Sequence, residues 1–159
     1  MPSGVEIERK FLVDDIPADL DTHPSAQIDQ GYLAITDDGL EVRIRSYGPR
    51  ASLTIKSGAG QVRLEEEIDI DERRFRSLWP LTEGKRIRKR RYVIPVAEGL
   101  QIELDVYADA LTGLVTAEVE FDSAAAAAFS PPAWLGRDVT DDPRYKNKRL
   151  AVDGLPPTR

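Results

Sequence analysis

Charged side chains recur at every second position along much of this chain. Glu6, Glu8 and Lys10 do so near the start, and Glu118 and Glu120 near the end. Arg43 and Arg45, Lys89 and Arg91, Glu103 and Asp105, and Arg63, Glu65, Glu67 and Asp69 keep the same spacing, with Lys56 set against Leu53 and Ile55. In an extended strand, side chains two apart share a face, so each group presents its charges together. Clustered carboxylates without His or Cys select hard divalent cations, Mg²⁺ or Mn²⁺, through oxygen coordination. Clustered Arg and Lys bind a polyanion, Arg by bidentate forks on phosphate oxygens. Together the two sets suit a metal–polyphosphate complex better than either alone, because the metal can bridge carboxylates to phosphate oxygens and neutralise charge as a P–O bond breaks.

Positioning these groups requires strands. Period-2 alternation predicts eight of them, over Val5–Leu12, Ile28–Ile35, Leu40–Tyr47, Ala51–Ser57, Gln61–Ile70, Arg86–Val96, Leu100–Tyr107 and Leu114–Phe121. Asp37-Asp38-Gly39, Gly48-Pro49 and Gly58-Ala59-Gly60 are short, turn-forming links that favour antiparallel hairpins. Eight antiparallel strands are enough to close a barrel. Helices are expected over Asp71–Leu78, Ser123–Phe129 and Arg144–Val152, with a weaker one at Ile16–Leu20. A sheet with one solvated face shows similar alternation, but two features point beyond that. The polar positions are nearly all charged, and cations (Arg43, Arg45, Lys56, Lys89, Arg91) and acids (Glu6, Glu8, Asp105, Glu118, Glu120) occupy separate groups of strands. In a closed barrel with an apolar outside, both sets would line the lumen.

Composition narrows the chemistry. The 159 residues carry 22 Lys+Arg and 28 Asp+Glu, a net charge of −6, with 41% hydrophobic residues, no Cys and one His. This favours one folded domain, residues 1–152, with 153–159 as a loose tail. It excludes disulfides, Cys nucleophiles and multi-His metal sites. His23, between Thr22 and Pro24, is expected in a solvated loop. The acidic balance disfavours nucleic acid, and in the basic strip Lys85–Arg91 only Lys89 and Arg91 are expected inside, with Arg86, Arg88 and Arg90 on a solvated edge. No stretch can span a bilayer, and the charged Met1–Lys10 segment does not suit a secretion signal, so a cytoplasmic location is expected. A homodimer through the outer face is compatible with the sequence. Trp79 and Trp134 are expected to pack helices on the sheet.

Glu6-Ile7-Glu8-Arg9-Lys10 resembles the ExExK signature of the CYTH superfamily, the triphosphate tunnel metalloenzymes. Gln30-Gly31-Tyr32-Leu33, Val42-Arg43-Ile44-Arg45, Thr54-Ile55-Lys56, Arg63-Leu64-Glu65-Glu66-Glu67, Lys89-Arg90-Arg91-Tyr92, Gly113-Leu114 and Ala117-Glu118-Val119-Glu120 follow in the family's order. Trp134-Leu135-Gly136 and Arg144-Tyr145-Lys146-Asn147 resemble the C-terminal part of compact bacterial members. The resemblance implies an α+β fold: an eight-stranded antiparallel barrel, a tunnel, with helices packed outside. It implies Glu6, Glu8, Glu118 and Glu120 as principal metal ligands, and Asp105, Glu65 and Glu67 for a second metal or for orienting water. Lys10, Arg43, Arg45, Lys56, Arg63, Lys89 and Arg91 would hold phosphates, with Tyr32 beside them.

The resemblance further implies attack on a triphosphate-containing small molecule. The compact length favours hydrolysis of inorganic tripolyphosphate to pyrophosphate and phosphate. A class IV-type adenylate cyclase, a thiamine triphosphatase and a noncatalytic polyphosphate- or nucleotide-binding module are the alternatives. Lys10 and Lys56 are candidate bases, since close cations lower each other's proton affinity; a second metal on Glu65 or Asp105 is the other route. Arg144, Tyr145 and Lys146 either close one mouth of the tunnel or cap the last helix.

Overall fold

In the computed structural model the described residues are 6–57, 64–96, 99–122 and 129–157, and the side chains of Glu6 and Asp122 lie outside the description. Residues 123–128 of the helix expected over Ser123–Phe129, and Arg63, also fall outside it. Eight strands form one antiparallel sheet: β1 (Glu6–Leu12), β2 (Ser25–Ile35), β3 (Glu41–Tyr47), β4 (Arg50–Ser57), β5 (Leu64–Ile70), β6 (Arg86–Pro95), β7 (Gln101–Tyr107) and β8 (Val115–Asp122). Their order is β1-β8-β7-β6-β2-β3-β4-β5. The edge strands are thus β1 and β5, and no ladder joins them among the described residues, so the structure shows an eight-stranded sheet where the sequence led us to expect a closed barrel.

Alternation divides the sheet as the sequence predicts. The apolar face of β7 and β8 gives Ile102, Leu104, Ala117, Val119 and Phe121, which pack with Val13, Leu20 and Ile94 under Phe129, Trp134 and Leu135. The charged face is plugged at one end by a second apolar cluster, in which Ile87 and Tyr107 meet Leu111, Leu114, Val139, Tyr145 and Leu150. These two clusters bury apolar surface on both sides of the sheet, the main favourable term in its folding.

Helix α1 (Glu72–Leu78) begins where Asp71 accepts a hydrogen bond from the Arg74 amide at 2.8 Å. Trp79 follows, stacked on Phe75 at 5.2 Å, with the Arg86 guanidinium 4.4 Å from the Trp79 ring. Arg86 also donates to the Trp79 carbonyl at 2.7 Å, so it is half-buried in packing, whereas Arg88 and Arg90 are exposed as expected. The Ile16–Leu20 helix is replaced by a 3-10 turn over Leu20–Thr22. The single helix expected over Arg144–Val152 divides into a 3-10 turn, Pro143–Tyr145, and helix α2, Asn147–Asp153. The break falls at Lys146, whose backbone is extended (φ −71°, ψ 145°), next to the buried Tyr145. No helix among the described residues is long and apolar enough to cross a membrane.

Gly31 on β2 shows why one small residue is needed beside the site. A Cβ there would lie 2.5 Å from Thr82 Cβ, and Thr82 is fully buried. Thr82 cannot swing aside cheaply, because its hydroxyl donates to the Trp79 carbonyl at 2.7 Å and accepts from Arg86 Nε at 2.9 Å. Gly31→Ala is therefore expected to destabilise the protein by about 1–3 kcal/mol. Urea unfolding that finds the variant as stable as the parent would contradict this packing.

Candidate active site

Register determines which charges become neighbours. On one face, Glu8 pairs with Glu120 and Lys10 with Glu118; Glu118 then faces Glu103. Asp105 faces Arg91 and Tyr107 faces Lys89. Farther across, Gln30 meets Arg45, Tyr32 meets Arg43, Arg43 meets Thr54, and Glu41 meets Lys56. Lys56 finally faces Glu65, and Thr54 faces Glu67. An acidic wall on β1, β8 and β7 thus passes through a mixed centre on β6 and β2 to a basic wall on β3 and β4. Strand β5 is paired without a break, so Glu65 and Glu67 share the face of Lys56 while Glu66 is on the other; both Glu65 and Glu67 are exposed.

At the centre, Asp105 is fully buried and accepts from Arg91 Nε at 2.8 Å and Nη2 at 2.9 Å, while Lys89 Nζ lies 2.8 Å from its second oxygen. Burial alone would raise the Asp105 pKa; Lys89 and the Arg91 fork outweigh it and hold the carboxylate down at about 2. Burial works against Arg91 as well, but Asp105, Glu103 and Glu118 keep its pKa above the ordinary arginine range. With both oxygens taken by cations, Asp105 serves here as their counter-ion, a partnership that the reading of it as a metal or water ligand did not include. Arg91 is thereby aimed at the acidic wall, 3.3 Å from Glu103 and 3.7 Å from Glu118.

On the acidic wall, Glu8 and Glu118 share a hydrogen bond. Loss of hydration raises the Glu8 pKa to about 7, and the charge of Glu118 and the shared hydrogen bond push the same way. Two adjacent carboxylates are favoured only with a proton or a cation between them. A recess of about 230 Å³ is lined by Glu8, Glu103, Glu118 and Glu120. Among the described residues no three acidic or imidazole side chains form a ready metal cluster. Lys10 is buried in this wall and donates through Nζ to the Tyr145 carbonyl at 2.5 Å. Its pKa is lowered mainly by burial; the neighbouring acids Glu118, Asp105 and Glu8 oppose this, and the cation Lys146 adds a smaller push of the kind the sequence suggested.

On the basic wall, Arg45 Nε donates to Gln30 at 2.9 Å, and Gln30 in turn donates to the buried Tyr32 hydroxyl at 3.3 Å. Burial, then Arg43 and Arg91, lower the Arg45 pKa to about 10, which leaves it charged at neutral pH. Burial raises that of Tyr32. Arg43 Nε is buried without a hydrogen-bond partner, a donor left for an incoming acceptor.

The two walls meet around a cavity of about 410 Å³, lined by Glu8, Lys10 and Glu118 on one side and Tyr32, Glu41, Arg43 and Lys56 on the other. Thr140 and the Tyr145–Lys148 segment line its remaining side. The structure thus brings Glu8, Lys10, Tyr32, Arg43, Lys56 and Glu118 to one cavity and sets Glu120 in the adjoining recess. Lys89, Arg91 and Asp105 form the buried centre beside it. Arg45 and Glu67 line a separate cleft of about 400 Å³ with Arg50 and Asp69. His23 lies 3.5 Å from Asp19, away from the cavity. Sequence reasoning missed Glu41, although it shares the alternation of Arg43 and Arg45, and missed Lys148, for which no local spacing gives a signal. In the sequence, Val139-Thr140 reads only as part of the C-terminal segment that resembles compact bacterial members, without a role at the site.

No family model matches the chain. It is 49% identical to an inorganic triphosphatase of Nitrosomonas europaea, over 92% of this chain and 97% of that one. It is 36% identical to an inorganic triphosphatase of Acetivibrio thermocellus, over 92% and 93% of the two chains. The crystal structure of an inorganic triphosphatase, 45% identical, superposes with a TM-score of 0.77 over 93% of this chain and 95% of that one. At this identity and coverage, the chain belongs to the inorganic triphosphatase family of the CYTH superfamily.

Proposed function

We propose that this protein hydrolyses inorganic tripolyphosphate to pyrophosphate and phosphate with the help of Mg²⁺ or Mn²⁺. The carrying observation is the cavity in which Glu8 and Glu118 face Arg43 and Lys56. Its family membership supports the same reading. The donor set fits a hard divalent cation: Glu8 and Glu118 are held in contact, Glu120 lies in the next recess, and all are oxygen ligands. Glu6, Glu8, Glu118 and Glu120 would hold that ion, which when bound would polarise phosphate oxygens and neutralise developing charge.

The chain's own residues would do the rest. Arg43 and Lys56 bind and orient the polyanion, and Arg91, fixed by Asp105, stabilises charge on the equatorial oxygens. Water attacks a terminal phosphorus in line, the bridging P–O bond breaks, and the leaving group departs as pyrophosphate. Lys10 and Lys56 are the candidate acceptors of the water proton. Lys10 has a lowered pKa, but its Nζ is engaged by the Tyr145 carbonyl. Lys56→Met is expected to reduce kcat by about 10²–10⁴-fold, the usual scale of general-base loss, while tripolyphosphate still binds; unchanged turnover would assign the proton to another group. We also propose that the sheet curls toward a barrel around the site. This is supported by the C-terminal segment, which is bonded to both β1 and β3.

The test is phosphorus NMR of the products from tripolyphosphate, ATP and thiamine triphosphate, in Mg²⁺, Mn²⁺ and EDTA. Equal yields of pyrophosphate and phosphate from tripolyphosphate, abolished by EDTA, are expected. Cyclic AMP from ATP, or binding of all three without turnover, would replace this reading with a cyclase or a binding module.

A further inference from the structure

We propose that the Glu41–Lys148 ion pair is a clasp holding the C-terminal segment across the cavity, and that this clasp makes the site selective for inorganic polyphosphate over a nucleoside triphosphate. The selectivity rests on the reading given above; the clasp itself rests on geometry.

Strands β1 and β3 are separated in the sheet by β8, β7, β6 and β2. The C-terminal segment is nevertheless bonded to both. At β1, the Lys10 amide donates to Thr140 Oγ1 at 3.0 Å, the Val139 amide to the Lys10 carbonyl at 2.8 Å, and Lys10 Nζ to the Tyr145 carbonyl. At β3, Lys148 Nζ lies 3.0 Å from Glu41 Oε2. Between these attachments Tyr145 and Leu150 are buried against Ile87 and Tyr107 on the charged face. The segment therefore crosses the site as a strap, attached by these three hydrogen bonds on the acidic side and by the Lys148–Glu41 ion pair on the basic side.

Glu41 is otherwise hard to account for. It is a carboxylate in the wall that carries Arg43 and Lys56, it lines the cavity, and only 8% of its surface is exposed. A negative charge facing a polyanion opposes binding unless it is neutralised. Lys148 adds to the neutralisation that Lys56 offers across the β3–β4 ladder, and removing it leaves the buried Glu41 carboxylate less compensated. Glu41 is thus a positioning residue that acts through the strap.

The strap places Lys146, Asn147 and Lys148 on the side of the cavity not formed by the sheet. Inorganic tripolyphosphate is charged at both ends and gains from cations there. A nucleoside triphosphate carries an uncharged sugar and base at one end, which need the space the strap fills. Releasing the strap should weaken the first ligand and admit the second.

The experiment compares wild type, Glu41→Gln, Lys148→Met, the conservative Lys148→Arg and the charge exchange Glu41→Lys with Lys148→Glu. Two quantities are read: kcat/KM on tripolyphosphate and on ATP, and amide hydrogen exchange over 139–150 without substrate. Each disruptive single variant should raise the ATP-to-tripolyphosphate ratio of kcat/KM about tenfold, the equivalent of about 1.4 kcal/mol. For tripolyphosphate the loss should fall on KM more than on kcat. Exchange over 145–150 should quicken about tenfold, and Lys148→Arg and the charge exchange should return toward wild type. If Glu41→Gln does not fold, Lys148→Met, which removes the more exposed partner, carries the comparison. Folded single variants with unchanged ratio and unchanged protection would overturn the proposal. A wild type inert on both substrates would overturn the function reading and the selectivity with it, while hydrogen exchange would still decide the clasp.

Discussion

Asp105→Asn is expected to cost about 3–5 kcal/mol of stability, because it leaves Lys89 and Arg91 buried without their shared counter-ion. The same substitution should lower turnover, since Arg91 loses the fork that aims it at the acidic wall. The pH dependence has a definite sign. The folded pKa of Asp105, about 2, lies below its ordinary value of 3.8. Its contribution is therefore fully present above about pH 4 and is lost as the pH falls toward 2, about 2 kcal/mol in all. Acid titration of wild type should show this loss, and the Asn variant should not. An Asn variant as stable as wild type at pH 7 would contradict the counter-ion role. Burying charge is costly in itself, so the trio is better understood as holding two cations in place than as a source of net stability.

Glu118→Gln is expected to separate stability from activity. Glu118 shares a hydrogen bond with Glu8 and lies 3.7 Å from Arg91. Removing its charge relieves repulsion from Glu8 and loses the long ion pair with Arg91 and the attraction for buried Lys10. These oppose one another, so the fold should be retained and its unfolding midpoint little changed. Turnover on tripolyphosphate should fall by about 10²–10³-fold, the scale seen when one electrostatic stabiliser of a transition state is removed. The metal concentration needed for half-maximal rate should rise as well. A variant that turns over normally at low Mg²⁺ would remove Glu118 from the ion-holding set.

The eight strands were legible because most show a two-residue period with charge on one side and apolar side chains on the other; β2, with one charge and a bulge, and β5, interrupted by Glu66, keep it less strictly. Arg86–Val96 became Arg86–Pro95, with the faces as expected. The cap at Asp71 was legible because its signal is local. The pairing of Asp105 with Lys89 and Arg91 was not: alternation tells which face a charge is on, and only register tells which opposite charge it meets. The depressed pKa of Lys10 was anticipated from a neighbouring cation, and Lys146 does contribute, but the larger cause, burial, was not legible because it depends on the Tyr145 segment, far away in sequence. The helix break at Lys146 and the contact of Lys148 with Glu41 have the same origin in long-range packing. Barrel closure was argued from strand number and from the family resemblance, and neither sets whether β1 and β5 pair in this chain.

The central claim is that opposed acidic and basic walls on one sheet face make a metal-dependent tripolyphosphate site. It is tested most directly by the initial rate of phosphate release from tripolyphosphate by wild type and Glu118→Gln, each across a Mg²⁺ titration and in EDTA. The account predicts rapid, Mg²⁺-dependent release by wild type, none in EDTA, and a rate at least about a hundredfold lower in the variant. Equal release with and without the cation, or equal release by the two proteins, would contradict it.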